Sequence, residues 1–203
     1  LLASSAASDV YKRQGVNYAN ALADAQKQGF AEADPTNDVC GFDAARKLAI
    51  LSSIGFRANV TFDDVLVEGI EKIDKSDIQY AKDMGYTIKL LTVALRQENG
   101  IALNVYPAFL PDNHPLSSVK GAYNAIYVTG NIVDDVMFYG RGAGALPTAS
   151  AVMGDVISTA QHILNGSTGT GMIMTDTKRI PFYSSLKLQN SYYFRLDVDD
   201  VTG

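Results

Sequence analysis

The sequence predicts an α+β fold with helices packed on a mainly antiparallel sheet. Three observations carry that reading: helical punctuation up to Gly85, an Asn99-Gly100 dipeptide between two alternating apolar runs, and a second short-turn strand pair ahead of one long final helix. The 203 residues are enough for one sizeable domain or two small ones. With 47% hydrophobic and 19% charged residues, wholesale disorder is ruled out.

Residues 1–14 (LLASSAASDVYKRQ) carry no helix or strand pattern. They also lack the basic start and continuous apolar core of a signal peptide, and are read as a non-native tail outside the fold. A helix is expected from about Tyr18 to Gln28, capped by Asn17 and stopped by Gly29. An acid-rich loop over residues 30–37 leads to a second helix, about Asp38 to Ile54, with Asp38 as its cap and Gly55 at its end. Thr61 with Asp64 caps a short helical segment, and Ser76 opens another that closes at Gly85.

The period then changes. Tyr86 to Gln97 alternates and is rich in Ile, Leu, Thr and Val, and Ile101 to Phe109 answers it with Ile101, Leu103 and Val105 on one face. Tyr123 to Val128 and about Val133 to Tyr139 flank a turn at Gly130-Asn131. Links this short imply antiparallel pairing. Residues 140–144 form a Gly-rich loop, and Pro147 sits in the first turn of a helix that runs to about Leu164. The Gly/Ser/Thr-rich stretch 165–171 reads as a linker. Ser191 to Asp200 alternates Tyr193, Arg195, Asp197 and Asp199 with Tyr192, Phe194, Leu196 and Val198, a half-buried strand.

Composition narrows the function. Seventeen Lys+Arg against 22 Asp+Glu leave a net charge of −5 with no basic run, which argues against nucleic acid and anionic membrane surfaces as partners. No apolar stretch approaches the roughly 18 residues that span a bilayer. The single Cys40 excludes an intrachain disulfide, and two histidines, His114 and His162, leave no multi-histidine metal site, so no metal is expected. Cys40 reads as a packing residue and His114, before Pro115, as a loop residue near the pocket. The expectation is a soluble, cytoplasmic protein.

Between Lys27 and Arg46 there is no basic side chain but four acids: Glu32, Asp34, Asp38 and Asp43. A calcium loop fails on spacing, because Val39 stands where the turn glycine is required and Ala45 where the bidentate acid is required. A substrate ammonium group fits better, since one or two carboxylates suffice for it. On the second helix, Asp43 and Lys47 share a stripe with Ile50, Leu51 and Ile54, while Phe42, Ala45, Leu48 and Ala49 fill most of the remaining circumference. The helix therefore reads as largely buried, with Asp43 and Lys47 at the start of a core-facing stripe. An i,i+4 salt bridge is the bland alternative.

The run from Glu32 to Leu48 (EADPTNDVCGFDAARKL) resembles the signature of homoserine dehydrogenases. The stretch Gly140 to Asp155 (GRGAGALPTASAVMGD), His114-Pro115-Leu116 and Asn124-Ala125-Ile126 are similar to other motifs of that family, over about residues 15–166. Tyr192 to Val198 resembles the first strand of an ACT regulatory domain. The resemblance implies an enzyme that interconverts aspartate 4-semialdehyde and homoserine with NAD or NADP. It also implies an organisation of residues 15–166 as a catalytic and dimerisation domain truncated at its start, 167–190 as a linker and 191–203 as the start of an ACT-like domain.

Carried over by motif position, Lys47 transfers the proton on the substrate oxygen and Asp43 is its active-site partner. Glu32 holds the α-ammonium group, Asp38 supports the substrate pocket, and Gly142, Ala143 and Gly144 touch the cofactor on its nicotinamide side. Taken alone, the 140–144 loop reads as a structural turn, because it lacks the βαβ setting of a dinucleotide fingerprint. The family's N-terminal Rossmann domain is absent from the chain, so the expectation is an inactive fragment of a homodimeric enzyme. The competing expectation is a non-catalytic small-molecule-binding or dimerisation module of the same fold.

Overall fold

The computed structural model describes residues 2–4, 36–167, 180–182, 190–196 and 198. Among them, six strands make one sheet: β1 (Leu2–Ser4), β2 (Leu66–Val67), β3 (Tyr86–Gln97), β4 (Gly100–Pro111), β5 (Tyr123–Gly130) and β6 (Asp134–Arg141). The helices are α1 (Thr36–Val39), α2 (Phe42–Phe56), α3 (Lys75–Asp83) and α4 (Ala145–Leu164). The spatial strand order is β2-β4-β3-β1-β5-β6, antiparallel throughout except for β2 beside β4. This is the α+β arrangement expected from the sequence. The expected helix over Tyr18 to Gln28 lies outside the described residues.

The β3–β4 hairpin is the longest element, paired from Tyr86↔Pro111 to Gln97↔Gly100. Its two-residue link is Glu98-Asn99, so Gly100 opens β4 rather than completing the turn. Residues 2–4 correct the reading of 1–14 as patternless: their backbone pairs with β3 on one side (Leu2↔Val93) and β5 on the other (Leu2↔Tyr127). Three residues are too few to show alternation, so no sequence signal could mark them.

One core lies between α2 and the face of the sheet carrying Leu90, Ala94, Ile101, Leu103 and Val105. A second, on the opposite face, gathers Leu91, Val93, Leu116, Val119 and Ala125 beneath the 3-10 turn Pro115–Ser118. Lys89 is fully buried on that side, where its Nζ donates to the Val119 carbonyl. Burying an ammonium is costly unless such a partner is in place, and this one ties the loop entering β5 to the sheet.

Helix α3 differs from expectation at its start. Asp74, not Ser76, is the cap: its carboxylate accepts from the N–H groups of Ser76 (2.7 Å) and Asp77 (3.2 Å), while Asp77 accepts from the Asp74 N–H at 2.9 Å. This is a capping box, with Gly85 at φ +79° beyond the far end. The Ser76 hydroxyl, then the two backbone N–H groups and Arg195, hold the Asp74 carboxyl down at about 2. Because its folded-state value is depressed, the stabilisation it contributes is present above about pH 4 and is lost as pH falls towards 2. The thermal midpoint is therefore expected to drop between pH 4 and 2, and to drop less steeply in Asp74→Asn, which can still cap but does not titrate.

The C-terminal part returns to the body. Phe182 bridges Ile101 in parallel, the Ile101 N–H donates to the Pro181 carbonyl at 3.0 Å, and Ile180 and Phe182 pack on the α2 core. The half-buried strand expected over Ser191 to Asp200 is not observed: residues 191–196 and 198 are irregular, and their sides are reversed. Tyr193 and Arg195 face the protein, whereas Tyr192, Phe194, Leu196 and Val198 are exposed. Arg195 finds carboxylates on α3, which outweighs the apolar alternation. Helix α4 has no buried residue.

Candidate functional site

The first turn of α2 carries the charged pair, and its placement begins at Gly41. This residue sits at φ +79°, and a Cβ there would lie 3.0 Å from Val105 Cγ1, so the backbone lies directly on the sheet. Gly69, two residues after β2, makes a second close approach, where an added Cβ would stand 2.4 Å from the Val39 carbonyl oxygen and 2.7 Å from Cys40 Cα. The Ile70 N–H donates to that same Val39 carbonyl at 3.0 Å. Gly69→Ala is expected to push α1 away from β2 and cost about 1–3 kcal/mol in a urea titration, because the obstructing atoms are backbone.

The helix start differs from expectation. Asp38 lies inside the separate short helix α1, and α2 is preceded by Gly41 with no side-chain cap, so Asp38 does not cap the long helix. Cys40 accordingly sits in the turn between the two helices rather than inside the second. At the other end α2 runs through Gly55, and Arg57 at φ +51° terminates it.

The phase of α2 is the larger correction. Its buried residues are Ala45, Leu48, Ala49, Ser52 and Ser53, whereas Ile50 is 62% and Ile54 46% exposed. Small side chains let the helix lie close to Leu90 and Val105, and close approach favours the Ala/Ser face over the bulkier Ile stripe. Asp43 and Lys47 consequently stand on the open side, with side chains 41% and 56% exposed, and not among core residues. They pair at 2.6 Å between Lys47 Nζ and Asp43 Oδ2. Arg46, one residue away, donates to Asn37 Oδ1 at 3.0 Å and lies over the Phe62 ring. Glu32 lies outside the described residues.

The Gly-rich loop follows β6. The Gly142 N–H donates to the Ala122 carbonyl at 2.9 Å, and a Cβ on Gly142 would fall 1.9 Å from Asn124 Nδ2. Gly144, at φ +122°, precedes the first turn of the 20-residue helix α4 without a side-chain cap, and Ala143 lies between the two glycines. Backbone amides at the start of such a helix suit a polar or anionic group, but that of Gly142 is already bonded to Ala122. Asn124 had a motif position in the sequence but no role; its side chain fills the space that Gly142 leaves vacant. Gly142→Ala is expected to displace the Asn124 amide and lower stability by about 1–3 kcal/mol. Gly140→Ala, where nothing lies within 4 Å of the added carbon, is the matched control.

His114 caps the 3-10 turn: its Nδ1 accepts from the Leu116 N–H at 3.1 Å, and its ring lies 5.2 Å from that of Tyr127. Tyr127 hydrogen-bonds Asp135, which with Thr129 (2.7 Å) holds the Asp135 carboxyl below its ordinary value. Among the described residues no helix is long and apolar enough to cross a membrane.

A family model described as homoserine dehydrogenase matches residues 7–157. The chain belongs to the homoserine dehydrogenase family. It is 43% identical over 186 residues to a homoserine dehydrogenase of Bacillus subtilis, which covers 92% of this chain and 43% of the relative. A homoserine dehydrogenase of Mycobacterium tuberculosis strain H37Rv is 44% identical over 194 residues, covering 93% of this chain and 44% of its own. Among solved structures, a homoserine dehydrogenase from Thiobacillus denitrificans superposes with a TM-score of 0.82 at 36% identity, over 90% of this chain and 44% of that one. The chain thus spans less than half the length of the homoserine dehydrogenases it matches.

Proposed function

We propose that this chain is the substrate-binding and assembly portion of an NAD(P)-dependent oxidoreductase that interconverts L-homoserine and L-aspartate 4-semialdehyde. The observation that carries the reading is the Lys47–Asp43 pair, held at 2.6 Å on the open side of a helix whose other face is locked to the sheet. A locked helix fixes where the ammonium stands, and an open side leaves it within reach of a small molecule.

When bound, the nicotinamide ring supplies the hydride to the aldehyde carbon or takes it from homoserine. Lys47 gives the substrate oxygen its proton in the reducing direction and takes it back in the oxidising one. Asp43 orients the ammonium, Glu32 holds the substrate's α-ammonium and Asp38 supports the substrate pocket. Gly142, Ala143 and Gly144 accommodate the nicotinamide side of NAD or NADP by backbone approach.

Assembly completes the reading. Phe138 is 63% exposed on the terminal strand β6, and this face suits a second copy of the chain. Light scattering is expected to return twice the 21.8 kDa chain mass, and Phe138→Glu a single one.

The deciding experiment is expression of the complete reading frame that contains this segment. Reduction of aspartate semialdehyde by NADH or NADPH is the expected result. A folded full-length product that does not reduce it would return the chain to the reading as a non-catalytic module.

A further inference from the structure

The segment Asn190 to Leu196 reaches the body through two side chains that alternate along it. The Tyr193 ring stacks on Phe109 with centroids 4.7 Å apart, and Phe109 in turn leans on Tyr86 at 6.3 Å. The Tyr193 hydroxyl donates to Asp77 Oδ1 at 3.0 Å. Arg195 Nη1 lies 2.8 Å from Asp77 Oδ1 and 2.5 Å from Asp74 Oδ2, and donates to Ser76 Oγ at 2.9 Å. Asp77 is buried, so its carboxylate would be costly to leave without such partners.

The receiving surface is built by elements of the body. Asp74 and Asp77 are already set by the capping box of α3, and Phe109 by the β3–β4 pairing. It offers two carboxylates beside an aromatic wall, which is the chemistry that accepts a tyrosine and an arginine two residues apart. We propose that this surface is a docking socket for the chain's own Tyr193-x-Arg195 pair, and that residues 190–196 form an intramolecular latch closed chiefly by charge. The latch also decides orientation: with Tyr193 and Arg195 inward, Tyr192, Phe194, Leu196 and Val198 must face away from the body. It is independent of the dehydrogenase chemistry proposed above, and neither Tyr193 nor Arg195 belongs to that site.

Chymotrypsin cleavage of the intact chain at Tyr192–Phe194 tests the latch, because cleavage tracks the open population when closing is fast. The substitution is placed on the strap, since Asp74 and Asp77 also cap α3. Arg195→Gln is expected to speed that cleavage roughly tenfold or more, as the loss of a charge-assisted contact to a buried carboxylate does, while cleavage within the β3–β4 hairpin stays unchanged. Equal cleavage of the unmodified and Arg195→Gln chains would overturn the proposal. So would an equal gain in cleavage within the β3–β4 hairpin, which would make Arg195 a general structural residue.

Discussion

Lys47→Ala, introduced into the complete enzyme, is expected to lower kcat by about 10²–10⁴-fold, the range typical of losing a positioned acid–base group. Its fold should be almost untouched. The side chain is 56% exposed, and its ion pair with Asp43 at i−4 has a geometry worth about 0.3–0.5 kcal/mol. Urea titration of the variant chain should therefore give an unchanged midpoint. Lys47→Arg keeps the ion pair but supplies a group that does not release its proton, so it should preserve stability without restoring homoserine oxidation. Near-normal turnover in Lys47→Ala would remove the proposed chemistry, whatever the family membership.

Leu48→Ala is expected to have the largest effect on stability, about 2–5 kcal/mol, because the side chain is fully buried between α2 and the sheet. Its neighbour in sequence and near-equal in size, Ile50, should cost about 0.5 kcal/mol or less when cut to alanine in this chain, since it stands 62% exposed. The contrast measures the rotational phase of α2 directly. Equal costs at the two positions would place the Ile stripe against the core and bury Asp43 and Lys47 with it. Chemical denaturation of both variants, compared at constant m-value, decides between the two phases.

The elements legible in the sequence are those whose signal is local. The β3–β4 hairpin, the β5–β6 hairpin and the start of α4 near Pro147 are each specified within a few residues by backbone preference and are found at those places, although the links are Glu98-Asn99 and residues 131–133 rather than Asn99-Gly100 and Gly130-Asn131. The Thr61/Asp64 cap is reciprocal, with the Asp64 carboxylate accepting from the Thr61 N–H at 2.8 Å. The Asp43–Lys47 pairing was legible for the same reason, since i,i+4 spacing brings two side chains together on any helix.

Burial was not legible in that way. Helix α2 is apolar around most of its circumference, so periodicity could not choose between the Ile50/Ile54 stripe and the Ala45/Ala49 one. The choice follows from Gly41 and Gly69, which let two backbones come within contact of α1 and β4. The cap of α3 was misplaced by two residues because Asp74 and Ser76 are both good capping types, and a reciprocal partner singles out Asp74. The inward turn of Tyr193 and Arg195 had no local sign at all: their partners on α3 lie more than 110 residues earlier.

Sequence was sufficient for the family, the antiparallel hairpins and the closeness of Asp43 to Lys47, because each depends on residues adjacent along the chain. Which side of α2 meets the sheet, and which side of residues 190–196 meets α3, depends on shape and charge supplied by distant segments. Close packing admits the small-residue face of α2, and a buried carboxylate captures Arg195.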